Sequence, residues 1–376
     1  MLQHHFLIPH LHFSFFSLPA FMAGIIAAYY HVESNLLFLI TGLALIMLLT
    51  LHTIGYSWAK TSLSFIVLFL AGAYACYHQQ TRHELFQTLI KNNTVDVHAL
   101  VNTIETIVHP YFKYKMHATV QKIKIQEQPN WASANNSIII YLLRLPSAQV
   151  ADVIHIRQLH SKGIDNAAYN LYLAKEKVSS SFFIQKLDFS LIHRPVYSIQ
   201  RALFAFQQHL LTVSRMLMSK ETFALFCSIF LGNRTESKKV METKKELFKV
   251  WGVSHYLARS GLHLVIFTMI WHFILSMIPL SFFYKQIILI LLILFYTLFS
   301  WNSISFERAL YIFFIFKLCL LSSAPSNYVH LIALTTLIIL ICNPLQLFFI
   351  DFQLSCGLTL ALAWFNSVQH HKKRLS

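Results

Sequence analysis

The chain has 376 residues, of which 56% are hydrophobic and only 12% charged, and its mean hydropathy is +0.54. That balance argues against a large soluble protein and predicts a polytopic α-helical membrane protein. Thirty Lys and Arg against 15 Asp and Glu leave a formal net charge of +15, so the expected partner is anionic, either lipid headgroups or nucleic acid.

The N-terminus holds His4, His5, His10 and His12 but no Lys or Arg before Lys60, so it lacks the charged start of a cleavable signal peptide and reads as an uncleaved span. The four histidines have neither regular spacing nor neighbouring acids, and a headgroup-level segment is the plainer reading than a metal site. Apolar runs at Phe13–Tyr30, Asn35–Leu51 and Thr61–Tyr77 approach the length needed for a hydrocarbon core of roughly 30 Å and define a three-span segment, 1–77. The cysteines Cys76, Cys227, Cys319, Cys342 and Cys356 lie in apolar runs without CxxC spacing and imply neither disulfide nor metal.

From 78 to 215 the apolar runs shorten to strand length and polar residues multiply. Strands are predicted at His117–Gln126, Ser137–Leu145, Val150–Arg157 and Ser180–Gln185, and a helix at Asn166–Lys177. Several strands with one inserted helix suit an OB-like barrel. The region carries 15 Lys or Arg against 8 Asp or Glu, which suits a groove for single-stranded nucleic acid lined by cations and stacking aromatics. Lys113, Lys115, Lys122, Lys124, Arg144, Arg157 and Trp131 are the candidates, although any one of these charges also reads as ordinary solvated surface.

The third region, 216–376, opens with Phe223–Leu231, too short to span. Glycine is scarce, nine in the whole chain, yet Gly232, Gly252 and Gly261 fall close together. Between the first two, Val240, Leu247, Phe248 and Trp251 lie at i, i+7, i+8 and i+11 among lysines, the pattern of an interfacial amphipathic helix over 234–249. Spans are expected at Tyr256–Ile278, Leu280–Ser300, Phe306–Ser323, Tyr328–Asn343 and Leu345–Phe365, giving about eight spans plus a half-span. Polar residues entering these apolar runs, Arg234, Ser254, His255, Arg259, Ser260, Gly261, His263, Arg308, Gln353 and Ser355, are candidate lining for a polar path. His255, Arg259 and His263 repeat at i, i+4 and i+8, one face of an unbroken helix, while Gly261 beside Ser260 suggests a break. Asp351 could pair with Arg259 or Arg308. With an odd number of spans before it, the 78–215 domain is expected outside the cytoplasm, and the His370–Arg374 tail inside.

The order Leu231-Gly-Asn-Arg234, a charged helix, Gly252-Val-Ser-His255, Leu257-Ala258 and Ser260-Gly-Leu-His263 resembles the competence domain of the ComEC-type DNA-internalisation proteins. Glu307-Arg308-Ala309, and Pro344 followed by Phe352-Gln-Leu-Ser355, add to the likeness; Arg259 and Asp351 depart from it. The resemblance implies a channel component in the bacterial inner membrane that carries single-stranded DNA into the cytoplasm during transformation. It also implies an OB-like domain at 78–215, and as partners the lipid bilayer, a DNA receptor, a helicase and a separate nuclease, with oligomerisation open. Walker, HExxH and HxHxDH motifs are absent, so no catalytic residue, cofactor or metal is expected, and the metallo-β-lactamase-like domain of longer members is not in this sequence. The reading from another class is a lipid- or metabolite-handling membrane protein, or a relative that has lost transport.

Overall fold

The computed structural model describes residues 13–30, 57–107, 109–125, 130–160, 166–184, 188–231, 250–251, 261–298, 304–323 and 327–375. In chain order the elements begin with α1 (Phe13–Tyr29) and α2 (Ser57–Asn92), then β1 (Val95–Thr106), β2 (Tyr114–Ile125), β3 (Ala132–Leu142) and β4 (Val153–Leu159). They continue with α3 (Ala167–Lys175), β5 (Val178–Ile184), β6 (Phe189–His193), α4 (Ile199–Leu217) and α5 (Lys220–Phe226), which passes into a π-turn at Cys227–Leu231. After these come α6 (Gly261–Ser276), α7 (Phe282–Leu298), α8 (Ile304–Leu321) and α9 (Tyr328–Cys342). A 3₁₀ turn at Pro344–Phe348, the short α10 (Ile350–Phe352), a π-turn at Gln353–Gly357 and α11 (Leu358–Leu375) close the series. Two compact units result, one drawn from Met1–Gln79, Ser260–Phe295 and Asn302–Ser376, the other from Gln80–Arg259 and Tyr296–Trp301.

The β unit is a six-stranded sheet in the order β5-β3-β2-β1-β4-β6, antiparallel except where β3 and β5 run parallel across the α3 crossover. Strict alternation builds it: Val95, Val97, Ala99 and Val101 of β1 point inward, as do Met116, Ala118 and Val120 of β2 and Ile138, Ile140 and Leu142 of β3. Phe86 and Ile90, from the end of α2, complete this core. On the opposite face α3 is started by Asn166, whose side chain accepts from the backbone N–H groups of Ala168 and Tyr169, and it lays Leu173 over Ile139 and Val178. Asp152, fully buried, holds Arg194 in three contacts and Arg201 in one, each at a shortest N–O distance of 2.7 Å.

The helical unit is held partly by close backbone approach. Where α1 crosses α2, a Cβ on Gly24 would collide with the carbonyl oxygen of Phe69, and one on Gly72 with that of Phe21. α6 meets α8 at Gly261, where an added Cβ would lie 2.9 Å from the Ala309 methyl. In the interior Lys317 Nζ donates to Gln286 Oε1 at 2.5 Å, which satisfies two polar groups that are both buried.

The expectation of a polytopic α-helical membrane protein with about eight spans plus a half-span is overturned, because no described helix is long and apolar enough to cross a membrane. Over the described residues these helices are short. The 17 residues of α7 rise only about 26 Å, against roughly 30 Å of hydrocarbon, and α6 and α9 have 16 and 15 residues. α8 has 18 residues but carries Glu307, Arg308 and Lys317. Beyond Pro344 the expected span becomes a 3₁₀ turn, a π-turn and α11, whose C-terminal part holds Lys372, Lys373 and Arg374. The extracytoplasmic placement of 78–215 and the cytoplasmic tail lose the span count on which they rested. The OB-like barrel is not shown either: among the described residues the end strands β5 and β6 share no ladder, and the sheet is open with six strands. The run Asn35–Leu51, the N-terminal histidines and the amphipathic segment 234–249 lie outside the described residues.

Candidate nucleic-acid interface

The outer face of the sheet, away from the Phe86–Ile90 core, gathers the charged and aromatic side chains. Register fixes the rows. His98 on β1 stands opposite Lys122 on β2 and His155 on β4; Lys122 in turn faces Ser133 on β3, and His155 faces Ser190 on β6. One row further, Asp96 faces Lys124. Trp131, immediately before β3, lays its indole against His98 with ring centroids 3.9 Å apart, and His155 lies 5.1 Å from His98 and 5.6 Å from Trp131. Three rings thus form one half-buried cluster, with Trp131 its exposed member, on the face that also carries Lys122, Lys124 and Arg157.

Local irregularities aim these groups. A register shift between Val120 and Lys122 lets Val120 stay in the core while Lys122 and Lys124 turn outward. A second shift in β4 places Gln158 at φ 50°, and its N–H donates to Asp96 Oδ1 at 2.9 Å. Asp96 is thereby committed to the backbone on one oxygen, with His155 Nε2 3.9 Å from the other. The His98 imidazole is held below its ordinary value, first by burial and then by the neighbouring His155 and Lys122, with Asp96 pulling the other way. At neutral pH it is therefore an uncharged ring, suited to stacking.

Four of the seven candidates from this region, Lys122, Lys124, Trp131 and Arg157, are brought together here. Lys113 and Lys115 lie at the other end of β2, Lys115 opposite Tyr141, and Arg144 is exposed in the turn after β3. His98 and His155 were not singled out from sequence. The signal was present in Val95-Asp-Val-His-Ala99 and Val153-Ile-His-Ile-Arg157, whose alternation turns Asp96, His98, His155 and Arg157 to one face.

In the helical unit, Arg308 Nη1 donates to Thr359 Oγ1, which donates to the Ser355 carbonyl at 2.6 Å. Arg308 is thus held by Thr359 rather than by Asp351. Its Nε and the buried Ser355 Oγ have no partner among the described residues. Gln353 is turned to structure, its Nε2 donating to the Leu347 carbonyl at 2.9 Å. His263 is buried in α6, and Gly261, the first described residue of that helix, packs on α8 beside Ala309; the residues before it, where a break is expected, lie outside the described residues. Arg234, Ser254, His255, Arg259 and Ser260 lie outside the described residues.

No curated protein and no solved structure matches the chain. Residues 230–376 match the sequence profile of the competence proteins. Arg308, Gln353 and Ser355 fall within that segment, so over this C-terminal part the chain is similar to the competence proteins.

Proposed function

We propose that this chain, similar to competence proteins over residues 230–376, contributes to DNA uptake by holding single-stranded DNA on the outer face of its sheet, while a separate motor and nuclease drive and process the strand. The observation that carries the reading is the Trp131–His98–His155 ring cluster set among Lys122, Lys124 and Arg157 on one face. Rings offer stacking to any base and the cations attract phosphates, so binding is indifferent to sequence and sensitive to salt. Within the family-matched segment, the Arg308 guanidinium with its free Nε offers a second phosphate-binding group.

The test is fluorescence anisotropy of the full chain with labelled oligothymidine. Trp131→Ala should weaken binding by roughly 5- to 150-fold, corresponding to about 1–3 kcal/mol per stacked base. Lys122→Glu with Lys124→Glu should lower affinity and flatten the dependence on log salt, by about 0.7 for each lost phosphate contact. Unchanged affinity in both variants would remove this face from DNA binding.

A further inference from the structure

The other end of the outer face carries a second ring cluster. Phe183 of β5 stacks on Tyr141 of β3 with centroids 4.8 Å apart and planes within 6° of parallel. Phe112, just before β2, closes the group at 5.5 Å from Phe183 and 6.3 Å from Tyr141. Tyr141 and Tyr169 of α3 pack together against the Ile139, Leu173 and Val178 cluster. Phe183 remains 48% exposed, against 37% for Trp131. Lys115 stands directly across from Tyr141, and Lys113, whose N–H donates to the Leu142 carbonyl, is exposed one step away. Glu105 faces Lys115 from β1, leaving three cations, Lys113, Lys115 and Arg144, around a single carboxylate.

A cross-strand aromatic pair can exist for edge-strand stability alone. Here the outermost ring is half exposed, the charge around it is cationic, and it shares the face that holds the Trp131 cluster. We propose that Phe183, backed by Tyr141 and Phe112, is a second base-stacking station, so that one DNA strand crosses the outer face between Trp131 and Phe183. This inference rests on the assignment of the Trp131 face to single-stranded DNA.

The geometry sets the length of strand required. The stretch of β2 from Lys124 to Lys115 rises roughly 30 Å at about 3.3 Å per residue. At about 3.4 Å per nucleotide along one strand that distance needs about eight or nine nucleotides, within the range of roughly 4–16 for single-strand-binding domains. α3 covers the β3 side midway, with Leu173 over Ile139, so the path keeps to β1 and β2 across Thr119. A tetranucleotide fills one station, whereas a hexadecamer bridges both.

The full chain is titrated by anisotropy with fluorescein-labelled dT4 and dT16. Phe183→Leu, which keeps apolar bulk but removes the π-face, should weaken dT16 binding roughly 5- to 100-fold and leave dT4 unchanged. Phe183→Trp should restore dT16 binding to at least the original affinity, which separates loss of stacking from loss of stability. Full dT16 affinity in Phe183→Leu, or failure of Phe183→Trp to bind dT16, would reduce the cluster to edge-strand packing and overturn the inference. Trp131→Ala should weaken both oligomers; if it weakens neither, the assignment of the face itself falls, a result distinct from failure of the second station alone.

Discussion

His117 lies between Thr103 and Ile139 on the outer face, and burial, with the Lys115 charge adding to it, pushes its imidazole down to about 4. An unfolded histidine titrates near 6.5, so between pH 6.5 and 4 the unfolded chain binds a proton that the folded chain refuses. Stability is therefore full above pH 6.5 and declines as pH falls toward 4, by a total of about 3 kcal/mol if His117 is the dominant group. Urea-unfolding midpoints measured from pH 7.5 to 4 should show this decline, and His117→Leu should flatten it; an unaltered profile in the variant would assign the acid sensitivity elsewhere. Asp152 does not interfere in this window. Burial alone would raise its carboxyl, but the bonds from Arg194 and from Gln149 N–H, with the charges of Arg194 and Arg201, bring it below its ordinary value, so its contribution is lost only at lower pH.

At the scale of elements, the reciprocal glycines of α1 and α2 set the distance between those helices. Gly24→Ala drives a methyl into the Phe69 carbonyl, backbone against backbone, and neither side can rotate away. It should cost about 1–3 kcal/mol or more, as overpacked cores do, whereas Gly357→Ala, with nothing within 4 Å of the added Cβ, should be nearly neutral. Thermal unfolding of the two variants side by side checks this, and equal midpoints would show that the crossing relaxes. The same elements show what a sequence can reveal. The periodicity at Tyr328–Asn343 and at Asn166–Lys177 corresponds to α9 and α3 within a residue or two at each end. α6 ends at Ser276 ahead of Pro279 and α9 at Cys342 ahead of Pro344, close to the ends their apolar runs give. β1 was missed because Asp96, His98 and Asn102 dilute its apolar content; the alternation that defines it is weak until a neighbouring strand shows which face is buried. Which of the many lysines converge could not be read at all, since it depends on pairing between β1, β2 and β4 and on two register shifts that place Lys122 and Arg157 beside Trp131.

For the whole molecule, the charge of +15 is divided between two units whose polar features differ in kind: an open ring-and-lysine face on the sheet, and buried polar groups among the helices. A DNA strand can meet the first without rearrangement, whereas Arg308 must first be reached, so the sheet face is the expected point of first contact. The salt dependence of the full chain should accordingly follow Lys122 and Lys124 more than Arg308. Asp152 has a different consequence for this unit. Its carboxylate grips Arg194, which follows β6, and Arg201, in the first turn of α4, while its own carbonyl accepts from Val101 N–H of β1 at 2.9 Å. Removing the carboxylate in Asp152→Asn should cost about 3 kcal/mol, the low end for breaking a buried ion pair because Arg194 can rehydrate. Amide hydrogen exchange should then show β6 and the first turn of α4 losing protection at separate rates, where the original protein releases them at one common rate; separate rates already present in the original would disprove the coupling. The expected order of disassembly turns on a single side chain: with Asp152 in place the edge strand and the helix after it should leave the sheet together, and a protease that cuts one should find the other already loose.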